Sequence, residues 1–323
     1  MSSEALDSRT TSASQTAEPP PVRRAKRPTW VAYLPYLIPG AIGFIVVIGI
    51  PFATNIVYSF QKWKGGLAPH HWVGLDNYRA LLQDEQFWTS FRNSISMIVA
   101  MVIVPTLLGL VVAAILFDLI GKKFGARLAS FLRATYYLPQ LLPVAIGAVV
   151  IGWILRPQNS ALNTVLQAVG LGSLQHNWLG DPSTALLSIM FVMVWVQIGY
   201  PVVIFMAALQ RVDPELYEAA ELDGAGWFQR FRSITVHIIR PEIFVVTLTC
   251  TIAALKVFGP IFTLTRGGPG NATIVPSYYS YNEFFNVQQV GYGATIATAL
   301  TVVIVLLTIA FIKAQQRAEE QDR

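Results

Sequence analysis

Charge and cysteine are scarce in this chain. Of its 323 residues 13% are charged, against 54% hydrophobic, and a single cysteine is present. That cysteine, Cys250, excludes an intrachain disulfide and any metal site built on paired thiolates. Among four histidines, His70 and His71 adjoin but bring no third ligand with them, so no metal is expected. There is no GxxxxGK[ST] loop, and therefore no expected nucleotide site, and neither HExxH nor GxSxG appears. The apolar runs hold essentially no Asp or Glu, which counts against a self-contained ion-coupled carrier, as does the lack of an internal repeat. A membrane-embedded enzyme would need a nucleophile–base pair or a metal cluster at that depth, and none is visible.

What the chain has in quantity is apolar runs about as long as a bilayer is thick. Six stand out, at 32–60, 94–116, 136–155, 185–208, 243–264 and 292–312. A spanning helix needs roughly 20 mostly apolar residues. The first run carries Pro35, Pro39 and Pro51, and the third has Pro139 and Pro143 near its start. The expected fold is an all-α membrane protein of six transmembrane helices, with a membrane domain over 29–316. Residues 1–28, rich in Ser, Thr, Pro and Ala, read as a disordered cytoplasmic tail, and 317–323 as a short cytoplasmic C-terminal tail. The apolar stretch begins too late, and runs too long, for a cleavable signal.

Orientation follows from the basic residues. With both termini inside, the inner segments hold sixteen Lys and Arg, among them Arg23, Arg24, Lys122, Lys123, Arg211 and Arg230. The outer segments hold six (Lys62, Lys64, Arg79, Arg92, Arg156 and Arg266), and Lys256 is left within the fifth run. The positive-inside rule thus places both termini in the cytoplasm. The net charge of +5 flanks spans instead of lining one soluble face, so nucleic acid is not an expected partner.

The outer segment 61–93 is aromatic, with Trp63, Trp72, Tyr78, Phe87 and Trp88 suited to an interfacial belt and Asp76 placed to cap a short helix. TRGGPGNAT, from Thr265 to Thr273, can only be a turn or loop. The inner segment 209–241 is unusual. Five acids crowd between Asp213 and Asp223, and EAAELDGAGWFQRF runs from Glu218 to Phe231. Asp213-Pro214-Glu215 reads as N-cap, first helical residue and first-turn acid. The helix should end near Leu222, bend at Asp223-Gly224, and give way to an amphipathic helix carrying Trp227, Phe228, Phe231 and Ile234. Small side chains at Ala219, Ala220, Gly224, Ala225 and Gly226 let another surface approach closely. Its bland reading is a solvated connector between two spans.

This segment resembles the coupling loop of the membrane subunits of binding-protein-dependent ABC importers. Glu218, Ala219, Ala220, Asp223, Gly224, Ala225, Phe231, Ile234 and Pro241 match that family's pattern, while His237 stands where family loops often carry Pro. WVGLDNY at 72–78, RATYYLPQLLP at 133–143, WILRPQNSALN at 153–163 and LTRGGPGNAT at 264–273 are similar to the sugar-type branch, the maltose and glycerol-phosphate class. The resemblance covers nearly all of 30–315. It implies the type I transmembrane bundle of ABC importers in a bacterial plasma membrane. It also implies a second homologous permease subunit, two ATP-binding subunits that hold ATP and Mg, and an external solute-binding protein delivering a carbohydrate. Glu218, Ala219, Ala220, Asp223, Gly224 and Ala225 would couple to the ATPase; the chain itself would be no enzyme and bind no cofactor.

Polar groups at membrane depth are the candidates for the substrate path. The fourth run offers Trp195, Gln197 and Tyr200, and the fifth offers Cys250, Thr251 and Lys256. Rings that stack on sugar C–H faces and amides that fix hydroxyls suit a carbohydrate. By the resemblance, sugar contacts fall near Gln197, Tyr200, Cys250, Ala254 and Val257. The alternative for Gln197 and Tyr200 is a hydrogen bond between helices.

Overall fold

The computed structural model describes residues 30–120, 125–156 and 160–321. The expected tail over 1–28 lies outside them. The described chain groups into two bodies, divided between Pro51 and Phe52. In the first, a helix over Trp30–Phe44 passes into a π-helical turn over Ile45–Gly49. Apart from the first of the long helices, which runs through the boundary, everything argued below lies in the second body.

Among the described residues, five helices are long and apolar enough to cross a membrane: Tyr36–Ser59, Glu85–Asp118, Ala185–Leu209, Arg240–Leu264 and Val290–Ala318. A sixth span forms if Arg127–Leu141 and Ile146–Ile154, bent by 94° against each other, are taken together. Large apolar side chains stay on the outside of these helices, with Phe191 76% and Leu306 62% exposed. The hydrophobic effect leaves such surface uncovered only where the surroundings are themselves apolar, as lipid is.

The third span departs from the apolar run that announced it. Its helix starts at Ala126, ten residues before the run, and stops at Leu141. Leu142 is extended, at φ −70° and ψ 131°, because the ring of Pro143 excludes the residue before it from the helical region. A new helix over Val144–Ile154 then starts behind Pro143. Pro139, by contrast, is carried inside the first limb. The fifth span breaks too: helix Arg240–Leu255 ends, Lys256 and Val257 are unwound, and Gly259–Leu264 resumes with Pro260 in its first turn. The Ser277 hydroxyl donates to the Val257 carbonyl, which satisfies an acceptor freed at this break.

Segment 61–93 is stitched to the sixth span. Gln61–Lys62 pairs antiparallel with His71–Trp72, and the Phe60 and Trp72 rings stack at 5.5 Å. The Gly291 N–H donates to the Trp63 carbonyl, and the Thr295 hydroxyl to the Ser59 carbonyl at 3.0 Å. Asp76 does not cap the short helix as expected. It is that helix's first residue and pairs with Arg79, whereas Asp84 caps the second span through the Gln86 N–H at 2.8 Å. The same Asp84 carboxylate accepts from the hydroxyls of Tyr279, at 2.6 Å, and Tyr292, at 2.5 Å. One acid thus ties together the second span, the helix Pro276–Tyr281 and the sixth span.

Two carboxyls in this region respond oppositely to their surroundings. Burial alone would raise Asp84, but hydrogen bonds from Tyr279, Tyr292 and the backbone N–H of Gln86 and Phe87 together hold it below the ordinary Asp value. Glu283 is raised, first by burial and then by the Asp84 charge. A lowered carboxyl contributes stability above its unfolded value of about 3.9, so at neutral pH the Asp84 contribution is fully present. A raised carboxyl contributes stability below its unfolded value of about 4.3 and loses it as pH rises through the folded value. The detergent-solubilised wild type is therefore expected to lose thermal stability as pH rises through the raised Glu283 value. Glu283→Gln should flatten that fall and raise Tm at neutral pH. Parallel Tm–pH curves for the two proteins would refute this assignment.

Candidate functional site

The elbow over 213–238 forms as its residues dictate. Asp213 accepts from the Glu215 N–H at 3.0 Å, Pro214 occupies the first turn, and the helix runs Pro214–Leu222. It ends in a Schellman turn: the Gly224 N–H donates to the Glu221 carbonyl at 3.1 Å and the Ala225 N–H to the Ala220 carbonyl at 2.9 Å. The turn needs a left-handed residue, and Gly224 supplies it at φ +77°. The second limb is helical from Trp227 to Ile238 and passes through a π turn over Phe231–Thr235, so the helix continues through His237.

The elbow has two faces. Outward, Glu218, Ala219, Asp223 and Gly224 are exposed, while Ala220 and Ala225 are half-buried. Leu216, Leu222 and Phe228 stand 48%, 89% and 68% exposed among them. Inward, the buried Tyr217 hydroxyl bonds the Thr235 hydroxyl at 2.9 Å and its ring lies 6.3 Å from Phe117. Arg230 reaches both Glu221, at 3.1 Å, and Asp118 at the end of the second span, at 3.7 Å. At the far end Arg211 pairs with Glu242. Reading the sequence singled out the outward residues and missed Tyr217 and Asp118. The available signal for Asp118 was its position as a lone acid closing a long apolar run.

Of the path candidates, the fold brings three together. Gln197 is buried and its amide donates to Cys250 Sγ at 3.1 Å. Tyr200, one turn on, shares a hydrogen bond of 3.2 Å with the Thr249 hydroxyl. Both side chains therefore meet the fifth span at adjacent residues, as helix spacing of three requires. Trp195 is 44% exposed and, like Lys256, takes no part in these two hydrogen bonds. Lys256 is exposed at the break in the fifth span, at the C-terminal end of helix Arg240–Leu255, where unsatisfied carbonyls favour a cation. Ala254 and Val257 are buried. Thr249 and Thr251 satisfy their hydroxyls within their own helix, on the Val245 and Thr247 carbonyls.

Beside the trio, helices touch backbone to backbone. A Cβ at Gly199 would overlap the Tyr136 carbonyl and the Tyr137 Cα, and one at Gly109 would overlap the Pro201 ring. The second, third and fourth spans cross there on glycine, the usual device for close helix packing in lipid. A separate cavity of about 490 Å³ opens between Trp153, Arg156, Gly180, Thr263 and Pro269, and none of the path candidates lines it. The Gly-Gly-Pro loop on its rim is held by Asn93, whose amide donates to the Ala272 and Ile274 carbonyls.

Gly199→Ala is expected to cost about 1–3 kcal/mol, because backbone cannot move aside as a side chain can. Gly224→Ala meets no neighbour within 4 Å, so its cost is the positive φ alone, about 1 kcal/mol. Thermal unfolding in detergent ranks the two. Equal Tm values for Gly199→Ala and wild type would show that the crossing is loose.

Residues 106–320 match the family described as binding-protein-dependent transport system inner membrane component. A probable ABC transporter permease protein of Bacillus subtilis is 33% identical over 291 residues, covering 90% of this chain and 98% of that protein. The permease protein of a diacetylchitobiose uptake system from Streptomyces coelicolor is 35% identical, covering 83% of this chain and 76% of that protein. A trehalose/maltose transport system permease protein of Thermococcus litoralis is 34% identical, covering 83% and 88%. In fold the chain is similar to one in the crystal structure of a bacterial ABC transporter involved in the import of the acidic polysaccharide alginate. The TM-score is 0.74 at 23% identity, over 89% of this chain and 96% of that one.

Proposed function

Since the chain belongs to the family of binding-protein-dependent transport system inner membrane components, we propose that it is one permease subunit of an ATP-driven importer of a sugar or related polyol. It is a multi-pass membrane protein, and in this reading both termini are cytoplasmic in a bacterial plasma membrane. A second, similar permease subunit completes the pathway, an external binding protein delivers the sugar, and two ATPase subunits carry out all nucleotide chemistry with their own ATP and Mg. The saccharide class is supported by the sugars in the names of its relatives.

One observation carries the coupling role: a short helix, capped at both ends, that projects Leu216, Glu218, Ala219 and Leu222 outward. Leu216, Leu222 and Phe228 together put apolar surface on one short elbow, which suits a helix seated in a partner's groove better than a connector in water. Ion pairs of Glu218 and Asp223 with that partner contribute about 0–1 kcal/mol each, so apolar fit and close approach at the alanines dominate. Leu222→Glu should leave insertion normal, reduce co-purification of the ATPase subunits and lower substrate-stimulated ATP hydrolysis, as should the bulkier Gly224→Trp. Wild-type uptake and ATPase stimulation in both variants would remove the elbow from the coupling role.

For the path, Gln197 and Tyr200 present an amide and a phenol on one face of the fourth span, against Cys250 and Thr249. A sugar passing there exchanges its hydroxyls into these bonds. A lost hydrogen bond is worth about 0.5–1.5 kcal/mol, so Gln197→Ala and Tyr200→Phe should change uptake about two- to tenfold with normal assembly. The binding protein's own affinity should not move, since that site is on another polypeptide. Unchanged uptake kinetics over several sugars would leave these residues as packing between helices.

A further inference from the structure

The inner face of the elbow is built around Arg230. Its side chain is 12% exposed and that of Asp118, 3.7 Å away, 11% exposed, so this pair is largely removed from water. The other arm of the guanidinium reaches Glu221 on the first limb at 3.1 Å. Around it Phe117, Tyr217, Trp227 and Phe231 enclose a void of about 10 Å³, and the Trp227 and Phe231 rings stack at 5.3 Å. Arg230 thus touches three things at once: its own limb, the limb that projects outward, and the cytoplasmic end of the second span.

From this geometry we infer that Arg230, with Asp118, is the rigid link through which displacement of the elbow is passed to the second span. The inference rests on the elbow being the coupling element. An exposed ion pair would be screened and weak. A pair shielded to this degree keeps its attraction, because little water competes for either charge. The link must be Arg. Its two terminal nitrogens serve Asp118 and Glu221 separately, through Nη2 and Nη1 held in one plane, whereas an ammonium would have to reach both carboxylates from a single nitrogen. The second span is a sensible recipient, since it crosses the fourth at Gly109 and Pro201, close to Gln197 and Tyr200 in sequence. Arg230 is here a positioning residue; it touches neither nucleotide nor sugar.

The test uses the complete transporter in proteoliposomes, with maltose, trehalose and diacetylchitobiose as probes, and reads sugar moved per ATP hydrolysed. Arg230→Gln and Asp118→Asn should each keep co-purification of the ATPase subunits and basal hydrolysis, and lower the ratio at least fivefold. The double variant should be no worse than either single one, because both remove the same link. Arg230→Lys, which keeps one arm, should fall between. Exchanging the charges, Asp118→Arg with Arg230→Asp, should recover part of the ratio, which a purely structural role would not produce. A wild-type ratio in Arg230→Gln, or losses that add in the double variant, would overturn the link while leaving the elbow's role intact. Failure of the wild-type chain to hold ATPase subunits, or to move any of the three sugars, would instead sink the reading beneath it. Should Arg230→Gln fail to insert, the Lys and Asp118→Asn variants decide the same question.

Discussion

In hydrocarbon a backbone N–H or C=O without a partner has no water to turn to. Most of this structure can be read as the consequence. Where the chain is regular, the helix satisfies itself. Where proline or glycine interrupts it, another part of the chain must come in. At the break in the fifth span the Ser277 hydroxyl meets the Val257 carbonyl. At the start of the second span Asp84 meets the Gln86 N–H, and two tyrosines then gather on the same carboxylate. The irregular Gly-Gly-Pro loop is tolerated because Asn93 and Thr273 occupy its carbonyls.

The same constraint sorts the residues of functional interest. Gln197 is paired with Cys250 and Tyr200 with Thr249 because a polar group left alone at this depth is costly. Such bonds are exchangeable. A substrate rich in hydroxyls replaces them at little net cost, whereas an apolar solute leaves them broken. A path for sugars and a bundle held by polar contacts are therefore compatible on one helix face. Glycine contributes differently, by removing side chain altogether: Gly199 and Gly109 allow three spans to cross, and Gly224 allows a turn that no side chain prefers.

Where the elbow leaves the spans, water returns. The outward face of the elbow shows apolar side chains beside acids, suited to a partner's groove, while the inward face is dry enough for an Arg–Asp pair to stay tight. The elbow is stiff because both limbs are fastened from inside, by Tyr217 on Thr235 and by Arg230 on Glu221 and Asp118. Stiffness of this kind lets a short helix move its neighbours instead of bending itself.

Much of this was legible in the sequence. The apolar runs fall on all five long helices, because bilayer thickness fixes helix length, although the second helix begins nine residues before its run and the last continues six beyond. Asp213, Pro214 and Gly224 announced the elbow's ends, because capping is a matter of three or four neighbouring residues. The third span was misplaced at its start. Its first limb, from Ala126, is too polar to register in hydropathy and is helical because it packs on the fourth span. Only the tertiary structure decided which side chains meet across the chain. Asp84 finds Tyr279 and Tyr292, 195 and 208 residues away, and Gln197 finds Cys250 at 53. Periodicity and caps are local and repeat along the chain, so a sequence displays them. A long-range partner is chosen by which helix faces happen to cross, and that choice exists only once the bundle is packed.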